Sequence, residues 1–164
     1  VPTWCWPSAA SRGETVKVVI GADHAGVELK DAVVAYLKGK GVDVEDVGTH
    51  GNDSVDYPDF ASTVASKVGR GEASFGVLVC GTGLGMAIVA NKYRGVRAVP
   101  CTSEFAARAS RQHNDANVLC LGERLVGTGL GLAIAEAFFE TSFEGGRHER
   151  RTQKIADVES ENMR

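Results

Sequence analysis

One stretch of the sequence decides the fold: Phe75-Gly-Val-Leu-Val-Cys80 runs directly into Gly81-Thr-Gly-Leu-Gly85. Its first part is a short, mostly apolar run, which is typical of a strand buried on both faces of a parallel sheet. The glycines and the apolar residues after them, to about Lys92, predict a helix that begins where the strand ends. Such a pair is one unit of a fold in which strands and helices alternate.

The same alternation continues on both sides of this unit. Four further strands are predicted, at residues 16–21, 42–47, 96–101 and 117–121. Further helices are predicted at about residues 25–38, 59–68, 103–111, 128–140 and 146–161. Because the connections are short, we predict a single-domain α/β fold: a doubly wound, Rossmann-like parallel sheet of five strands, with helices on both faces and a C-terminal helix.

Length and composition limit the number of domains. The chain has 164 residues, 43% of them hydrophobic, which is enough for one sizeable core but hardly for two. We therefore predict one domain over residues 16–164. Residues 1–15 contain two tryptophans and two prolines without periodicity, and we predict a disordered extension or a remnant of expression there.

Charge and hydropathy argue against two classes of partner. The 18 basic and 21 acidic residues nearly balance, whereas a nucleic-acid binder needs a basic surplus to displace counterions. No apolar run approaches the roughly 20 residues that cross a bilayer, and we see no pattern of a secretory leader. We therefore expect neither nucleic acid nor a membrane as a partner, and a soluble protein of the cytoplasm.

Chemically useful groups cluster at four places that we assign to strand ends or to the turns after them. They are Gly21-Ala-Asp-His-Ala-Gly26, Cys80 with the glycines after it, His113-Asn114-Asp115 and Gly122-Glu123-Arg124. In a doubly wound sheet, ligands bind beyond the carboxyl ends of the strands. We therefore predict that all four places face one crevice.

Cys80 has the setting of a reactive thiol. At the end of a strand and just before a helix, it lies near free N–H groups that favour the thiolate, which can act as a base or a nucleophile. The N–H groups between Gly81 and Gly85 can hold an oxyanion or a phosphate. A small buried hydrophobic residue is the alternative for Cys80, and for Cys101 and Cys120 we predict reduced, buried thiols.

The glycine loop and the histidines are weaker signals. The loop departs from the dinucleotide fingerprint and lacks the Lys-Ser/Thr of a P-loop, so NAD and ATP lose support. A second copy of the loop, at residues 127–131, is interpreted as a helix start without chemistry. His24 and His113 are candidate acid–base groups, although a surface histidine in a polar loop explains either one equally well.

The spacing of possible ligands along the sequence bears on metal binding and on phosphate binding. No HExxH motif, paired histidines or acidic cluster has the spacing of metal ligands, so we predict no metal. In the last predicted helix, Arg147 and Arg151 are four residues apart and share one face, which suits bidentate capture of a phosphate. A solvated charged face is the alternative for these two residues.

Six motifs, in one order, carry a resemblance to a known family. They are Gly21-Ala-Asp-His-Ala-Gly-Val-Glu-Leu-Lys30, Asp56-Tyr57-Pro58, Cys80-Gly-Thr-Gly-Leu-Gly85, Ala90-Asn91-Lys92, Ser110-Arg-Gln-His-Asn-Asp115 and Gly145-Gly-Arg-His148. Over about residues 16–159, the chain resembles the type B ribose-5-phosphate isomerases, which are often grouped with galactose-6-phosphate isomerases. The resemblance implies an enzyme that interconverts ribose 5-phosphate and ribulose 5-phosphate through an enediolate, without metal or cofactor, as a homodimer or homotetramer.

The resemblance also implies roles for individual residues. Cys80 would be the base that removes the C2 proton, as in the branch of the family that uses a cysteine, and the loop with Gly81, Gly83 and Gly85 would be the anion hole. The other implied roles are ring opening by Thr82 and His113, contacts to sugar hydroxyls by Asp23, Tyr57 and Asn114, and contacts to the phosphate by His24, Arg124, Arg147 and Arg151. Each site would be shared across a two-fold axis, with Cys80 from one chain and His113 and Arg124 from the other.

Three alternatives stay open. Some relatives act on hexose, deoxy-hexose or tetrose phosphates, so the length of the sugar is open and ribose 5-phosphate is the default. A non-catalytic sensor of sugar phosphates would need only the phosphate contacts, and the presence of Cys80, Thr82 and His113 argues against it. A flavodoxin-like nucleotide-binding module would need aromatic residues at the strand ends, and only 7% of the residues are aromatic.

Overall fold

The computed structural model describes residues 15–163, with a parallel sheet at its centre. The strands are β1 (Lys17–Ala22), β2 (Asp43–Asp46), β3 (Phe75–Cys80), β4 (Ala98–Pro100) and β5 (Val118–Gly122). The helices are α1 (Val27–Gly39), α2 (Tyr57–Gly69), α3 (Leu84–Ala90), α4 (Glu104–Asn114), α5 (Glu123–Phe139) and α6 (Arg147–Asn162). All neighbouring strands are parallel, in the order β2-β1-β3-β5-β4.

The predicted fold class is confirmed, and so are the five predicted strands, to within two residues at each end. The largest difference is in α5, which begins at Glu123 because one helical turn precedes Gly127, where φ of 63° and ψ of −176° interrupt the helix. The predicted extension over residues 1–15 lies, except for Thr15, outside the described residues and stays a prediction. Between residues 15 and 163, no helix is both long enough and apolar enough to cross a bilayer.

The core has two halves, one on each face of the sheet. Side chains alternate along a strand, so Val18 packs with α1, α4 and α5, whereas Val19 packs with α2 and α3. The strand β3 is buried along its whole length because helices cover both faces. This packing holds Cys80, the last residue of β3, at a fixed position on the carboxyl edge of the sheet.

The order of the strands creates a crevice at one point of that edge. From β1 the chain moves outward to β2, whereas after β3 it continues on the other side to the edge strand β4 and then returns to β5. The connections therefore diverge between β1 and β3, which pair directly and place Ala22 beside Val79. In open α/β sheets, ligands bind where the connections diverge in this way.

Candidate active site

A cavity of about 320 Å³ lies at this point of divergence. Its lining residues end β3, follow β1, β3 and β5, or begin α2, and they are Asp23, His24, Ala25, Tyr57, Cys80, Gly81, Thr82, Gly85 and Arg124. Three of the four places that we expected to face one crevice therefore do so. The volume suits a small polar metabolite.

The thiol of Cys80 receives a backbone hydrogen bond inside the cavity. The side chain is largely buried, with 6% of the residue exposed. The Gly83 N–H donates to Cys80 Sγ at 3.1 Å. Gly83 can point its N–H back at the sulfur because it has φ of 76°, a left-handed conformation that a side chain would disfavour. At this distance the backbone N–H can donate to the sulfur throughout a reaction of the thiol.

Burial makes the two other described cysteines poor candidates for chemistry. Desolvation raises the pKa of Cys101 to about 11 and raises the pKa of Cys120 well above its ordinary value. Both are free, buried thiols, as predicted. Cys80 is also free, and of the three it alone lines the cavity.

Two glycines of the loop allow functional side chains to come close. A Cβ on Gly81 would lie 3.2 Å from Nη1 of Arg124. A Cβ on Gly85 would lie 2.6 Å from the ring of Tyr57. Both side chains therefore pack directly on the backbone of the loop, and the loop N–H groups, the guanidinium and the phenol line one small space.

Asp23 and His24 are held by backbone contacts in the turn after β1. Asp23 Oδ1 accepts a hydrogen bond from the Ala25 N–H at 2.9 Å, which fixes the turn. His24 Nδ1 accepts from the Val55 N–H at 3.2 Å. Because a backbone N–H is always the donor, the proton of the ring lies on Nε2. His24 therefore offers an N–H donor, which suits a phosphate.

His113 and Asn114 lie away from the cavity, and the expectation that residues 113–115 face the same crevice is wrong. These residues end α4 and precede β5, whereas the other three places follow a strand. A helix that connects parallel strands returns toward their amino ends, so the end of α4 belongs to the opposite edge of the sheet. There the His113 ring stacks on His148, with 4.4 Å between the ring centroids.

The two arginines of the last helix also lie outside the cavity. Arg147 and Arg151 are on the first turns of α6, which packs against α4. Arg124, in contrast, lies in the cavity of its own chain, and its N–H donates to the Gly81 carbonyl at 3.1 Å. The expectation that Arg124 comes from the same subunit as His113 in a shared site is therefore wrong, because Arg124 and Cys80 line one cavity.

Two groups of side chains in the described part of the chain bring three possible metal ligands together: His113 with Glu144 and His148, and Asp31 with Asp46 and His50. The first is poorly arranged, because the two rings are only 13° from parallel and their nitrogen lone pairs do not converge. The second already holds the buried ammonium of Lys30, 2.7 Å from Asp46 and 2.8 Å from Asp31. Neither group lines the cavity, and the absence of a metal from the reaction stays a prediction.

Two contacts around the cavity escaped the sequence analysis. One is the Val55 N–H that fixes the ring of His24, and no side-chain pattern can mark a backbone donor. The other is Glu123, whose carboxylate accepts from the Leu29 N–H at 2.9 Å. The only signal for the second was the position of Glu123 beside Arg124.

Comparisons with known proteins agree on one family. The family described as Ribose/Galactose Isomerase matches residues 18–155. Ribose-5-phosphate isomerase B of Escherichia coli (strain K12) is 47% identical over 143 residues, which cover 87% of this chain and 96% of that protein. A putative sugar phosphate isomerase of Bacillus subtilis (strain 168) is 44% identical over 149 residues, which cover 90% of this chain and all (100%) of that protein.

Solved structures give the same result. Ribose-5-phosphate isomerase B of Clostridium thermocellum superposes with a TM-score of 0.87 and 51% identity, covering 89% of this chain and 99% of that one. Ribose-5-phosphate isomerase B of Mycoplasma genitalium, solved with bound ribulose-5-phosphate, has a TM-score of 0.87 and 42% identity, covering 90% of this chain and 99% of that one.

Proposed function

The chain belongs to the ribose/galactose isomerase family and is an isomerase, and on that premise we propose that it interconverts ribose 5-phosphate and ribulose 5-phosphate. One observation carries the proposal: the Cys80 thiol accepts the Gly83 N–H inside a cavity that also contains Arg124. A base, anion-stabilising donors and a cation for the phosphate thus lie within one small space. The relative that was solved with ribulose-5-phosphate supports the choice of substrate.

In the proposed reaction, the Cys80 thiolate removes the proton from C2 of the open-chain sugar. The electron pair of that C–H bond moves into a C1–C2 double bond, and the negative charge on the resulting enediolate oxygen is held by N–H groups of the loop from Gly81 to Gly85. The thiol then returns the proton to C1, while the proton of the C2 hydroxyl passes to the C1 oxygen, so that C2 becomes the ketone carbon and C1 the alcohol carbon. Because C1 is reduced as C2 is oxidised, the step balances within the substrate.

The remaining cavity residues would bind and open the sugar. We assign ring opening to Thr82, together with His113 from a second chain. Asp23 and Tyr57 would contact sugar hydroxyls. The phosphate would be held by His24 and Arg124, through the Nε2 proton and the guanidinium.

A second copy of the chain would complete each site, in a homodimer or in a homotetramer built from such dimers. His113, Asn114, Arg147 and Arg151 lie outside the cavity that contains Cys80, so one chain does not bring all the implied residues together. The helix α3 begins within the last two residues of the glycine loop and exposes Leu84 and Ile88, with 54% and 64% of these residues accessible. An apolar surface at the rim of the cavity is a reason for another chain to pack there.

The activity is tested by incubating the protein with ribose 5-phosphate and a metal chelator, and by measuring ribulose 5-phosphate. We expect full turnover with the chelator present. Turnover of a hexose, deoxy-hexose or tetrose phosphate in place of ribose 5-phosphate would contradict the choice of sugar. Tight binding of sugar phosphates without any turnover would favour the sensor.

The shared site is tested by mixing inactive chains. When Cys80→Ala chains are refolded with His113→Ala chains, each mixed dimer has one site with both defects and one intact site. Half of the randomly paired dimers are mixed, so about a quarter of the wild-type rate should return.

The matched control uses a residue of the same cavity. Cys80→Ala chains mixed with Arg124→Ala chains should show no more activity than the Arg124→Ala chains alone, because each chain then damages its own cavity. Recovery in this control, or no recovery with His113→Ala when mass measurements detect mixed dimers, would contradict the proposed sharing.

A further inference from the structure

The start of α1 lacks an ordinary cap. Its N-cap residue is Gly26, which has no side chain to accept the free N–H groups of the first turn. A larger residue does not fit, because a Cβ on Gly26 would lie 2.7 Å from the backbone of Val79. The turn that carries His24 therefore leads into a helix whose cap must come from elsewhere.

Glu123, the first residue of α5, supplies that cap. Its Oε2 accepts from the N–H of Leu29, in the first turn of α1, at 2.9 Å. A carboxylate at a helix N-terminus forms a charge-assisted hydrogen bond and complements the helix dipole. The next residue, Arg124, donates its own N–H to the Gly81 carbonyl at 3.1 Å. The dipeptide thus connects α1 with the glycine loop.

We propose that Glu123 is a positioning residue of the site: by capping α1, it sets the separation between His24 and the Arg124 guanidinium. This rests on the proposed function only in treating these two side chains as phosphate ligands. Glu123 itself would not touch the substrate. Two ligands on different elements bind a phosphate well only when their separation is fixed in advance, because otherwise binding must order them.

The same pair of helices provides a matched control. At the far end of their contact, the Tyr36 hydroxyl donates to Glu136 at 3.4 Å. Glu136→Ala therefore removes a carboxylate contact between α1 and α5 without touching the turn of His24. If phosphate binding depends only on how tightly α1 packs on α5, it should weaken in both Glu123→Ala and Glu136→Ala. If it depends on the position of His24, it should weaken only in Glu123→Ala.

The experiment measures the dissociation constant of inorganic phosphate by calorimetry. Glu123→Ala should weaken phosphate binding about three- to tenfold, the cost expected when binding must order one side chain that was fixed before. Glu123→Gln keeps an oxygen acceptor at the same reach and should stay within about twofold of the wild type. Glu136→Ala should match the wild type.

Other results decide against the inference. Unchanged or tighter phosphate binding by Glu123→Ala would overturn it. The carboxylate would then have no effect on phosphate binding, or would only repel the anion. If Glu123→Gln binds phosphate as weakly as Glu123→Ala, the side chain acts through its charge alone and not through a hydrogen bond that positions α1, which also overturns the inference. Should Glu123→Ala fail to fold, Glu123→Asp replaces it: it keeps the charge but shortens the reach, and it should weaken binding.

Turnover separates this inference from the proposed function. With ribose 5-phosphate, Glu123→Ala should raise KM by a similar factor and leave kcat within about twofold, because uniform binding is lost. If the wild type isomerises ribose 5-phosphate and Glu123→Ala has the same KM, only the positioning role fails. If the three variants bind phosphate as expected but the wild type does not isomerise ribose 5-phosphate, only the proposed function fails.

Discussion

The pentapeptide Gly-Thr-Gly-Leu-Gly occurs twice, at residues 81–85 and 127–131, and its two copies have different structures. The first copy follows the buried strand β3 and leads into α3, at the carboxyl edge of the sheet. The second copy lies within α5, where Gly127 interrupts the helix before it resumes. The residue that precedes each copy also differs: Cys80 in the first and Val126 in the second.

The surroundings of the glycines differ as well. In the second copy, a Cβ on Gly127 or Gly129 would meet no atom within 4 Å. Only Gly131 is crowded, by the buried side chain of Leu29 at 2.5 Å, where α5 packs on α1. In the first copy, the cavity residues Arg124 and Tyr57 crowd Gly81 and Gly85, and the backbone of Leu121 crowds Gly83. The same five residues therefore form part of a candidate active site only where they follow a strand at the carboxyl edge of the sheet and contact the cavity residues. The loop sequence alone does not create such a site.

Substitution of the residue before each copy should give the largest difference in turnover between the two copies. Cys80→Ser should lower kcat by about a thousandfold or more, because the hydroxyl is a far weaker acid than the thiol. Phosphate binding, measured by calorimetry, should be almost unchanged. The equivalent variant, Val126→Ala, should keep its turnover. Substantial activity in Cys80→Ser would remove Cys80 from the role of base.

Alkylation checks the same point without mutation. Iodoacetamide should inactivate the protein, and ribose 5-phosphate should protect it. Mass spectrometry should find the label on Cys80, because burial raises the pKa values of Cys101 and Cys120 and leaves them as thiols. Inactivation with the label on either of those two cysteines would contradict the assignment.

The third glycine gives the next largest difference. Gly85→Ala should displace the Tyr57 ring from the loop and lower kcat/KM about ten- to hundredfold. The melting temperature should change little, since Tyr57 is partly exposed and can move. Gly131→Ala should do the reverse: the methyl group meets Leu29 in the core and costs about 1–3 kcal/mol of stability. Equal effects on turnover would show that the copies are equivalent here.

The comparison also explains what could be predicted from the sequence. The buried run before Gly81 identifies a strand, a strand end identifies the ligand edge, and so Cys80 could be located without coordinates. The same reasoning was not carried through at His113. Residues 113–115 lie between the predicted helix 103–111 and the predicted strand 117–121, so they precede a strand and belong to the opposite edge of the sheet.

Contacts that join distant segments could not be predicted either. Glu123 and Leu29 are 94 residues apart, and their contact depends on the packing of α5 beside α1. The start of α5 was placed too late for a related reason. Gly127 has the sequence of a helix start, whereas the single turn before it, from Glu123, follows β5 directly and has no periodicity that marks it in the sequence.

The second residue of each copy, Thr82 or Thr128, shows whether the threonine hydroxyl contributes to turnover. Thr82→Ala should lower kcat/KM about tenfold, since ring opening loses one of its polar groups, whereas Thr128→Ala should have no effect. The primary isotope effect for ribose 5-phosphate deuterated at C2 should become smaller in Thr82→Ala, because ring opening then limits the rate. An undiminished isotope effect together with a slower rate would assign Thr82 to the proton transfer instead.

The middle glycines give the smallest expected effect, and its sign differs between the copies. Gly83 has φ of 76°, and a Cβ there would lie 3.0 Å from the backbone of Leu121, so Gly83→Ala should lower stability by at least about 1 kcal/mol. Gly129 has open space around its Cα and lies in a helix, so Gly129→Ala should raise stability by about 0.5–1 kcal/mol. Thermal unfolding measures both, and in a domain of this size 1 kcal/mol corresponds to about 2–4 °C. A melting temperature that falls in both variants would mean that the second copy is as constrained as the first, and the contrast between the two loops would then rest on Cys80 alone.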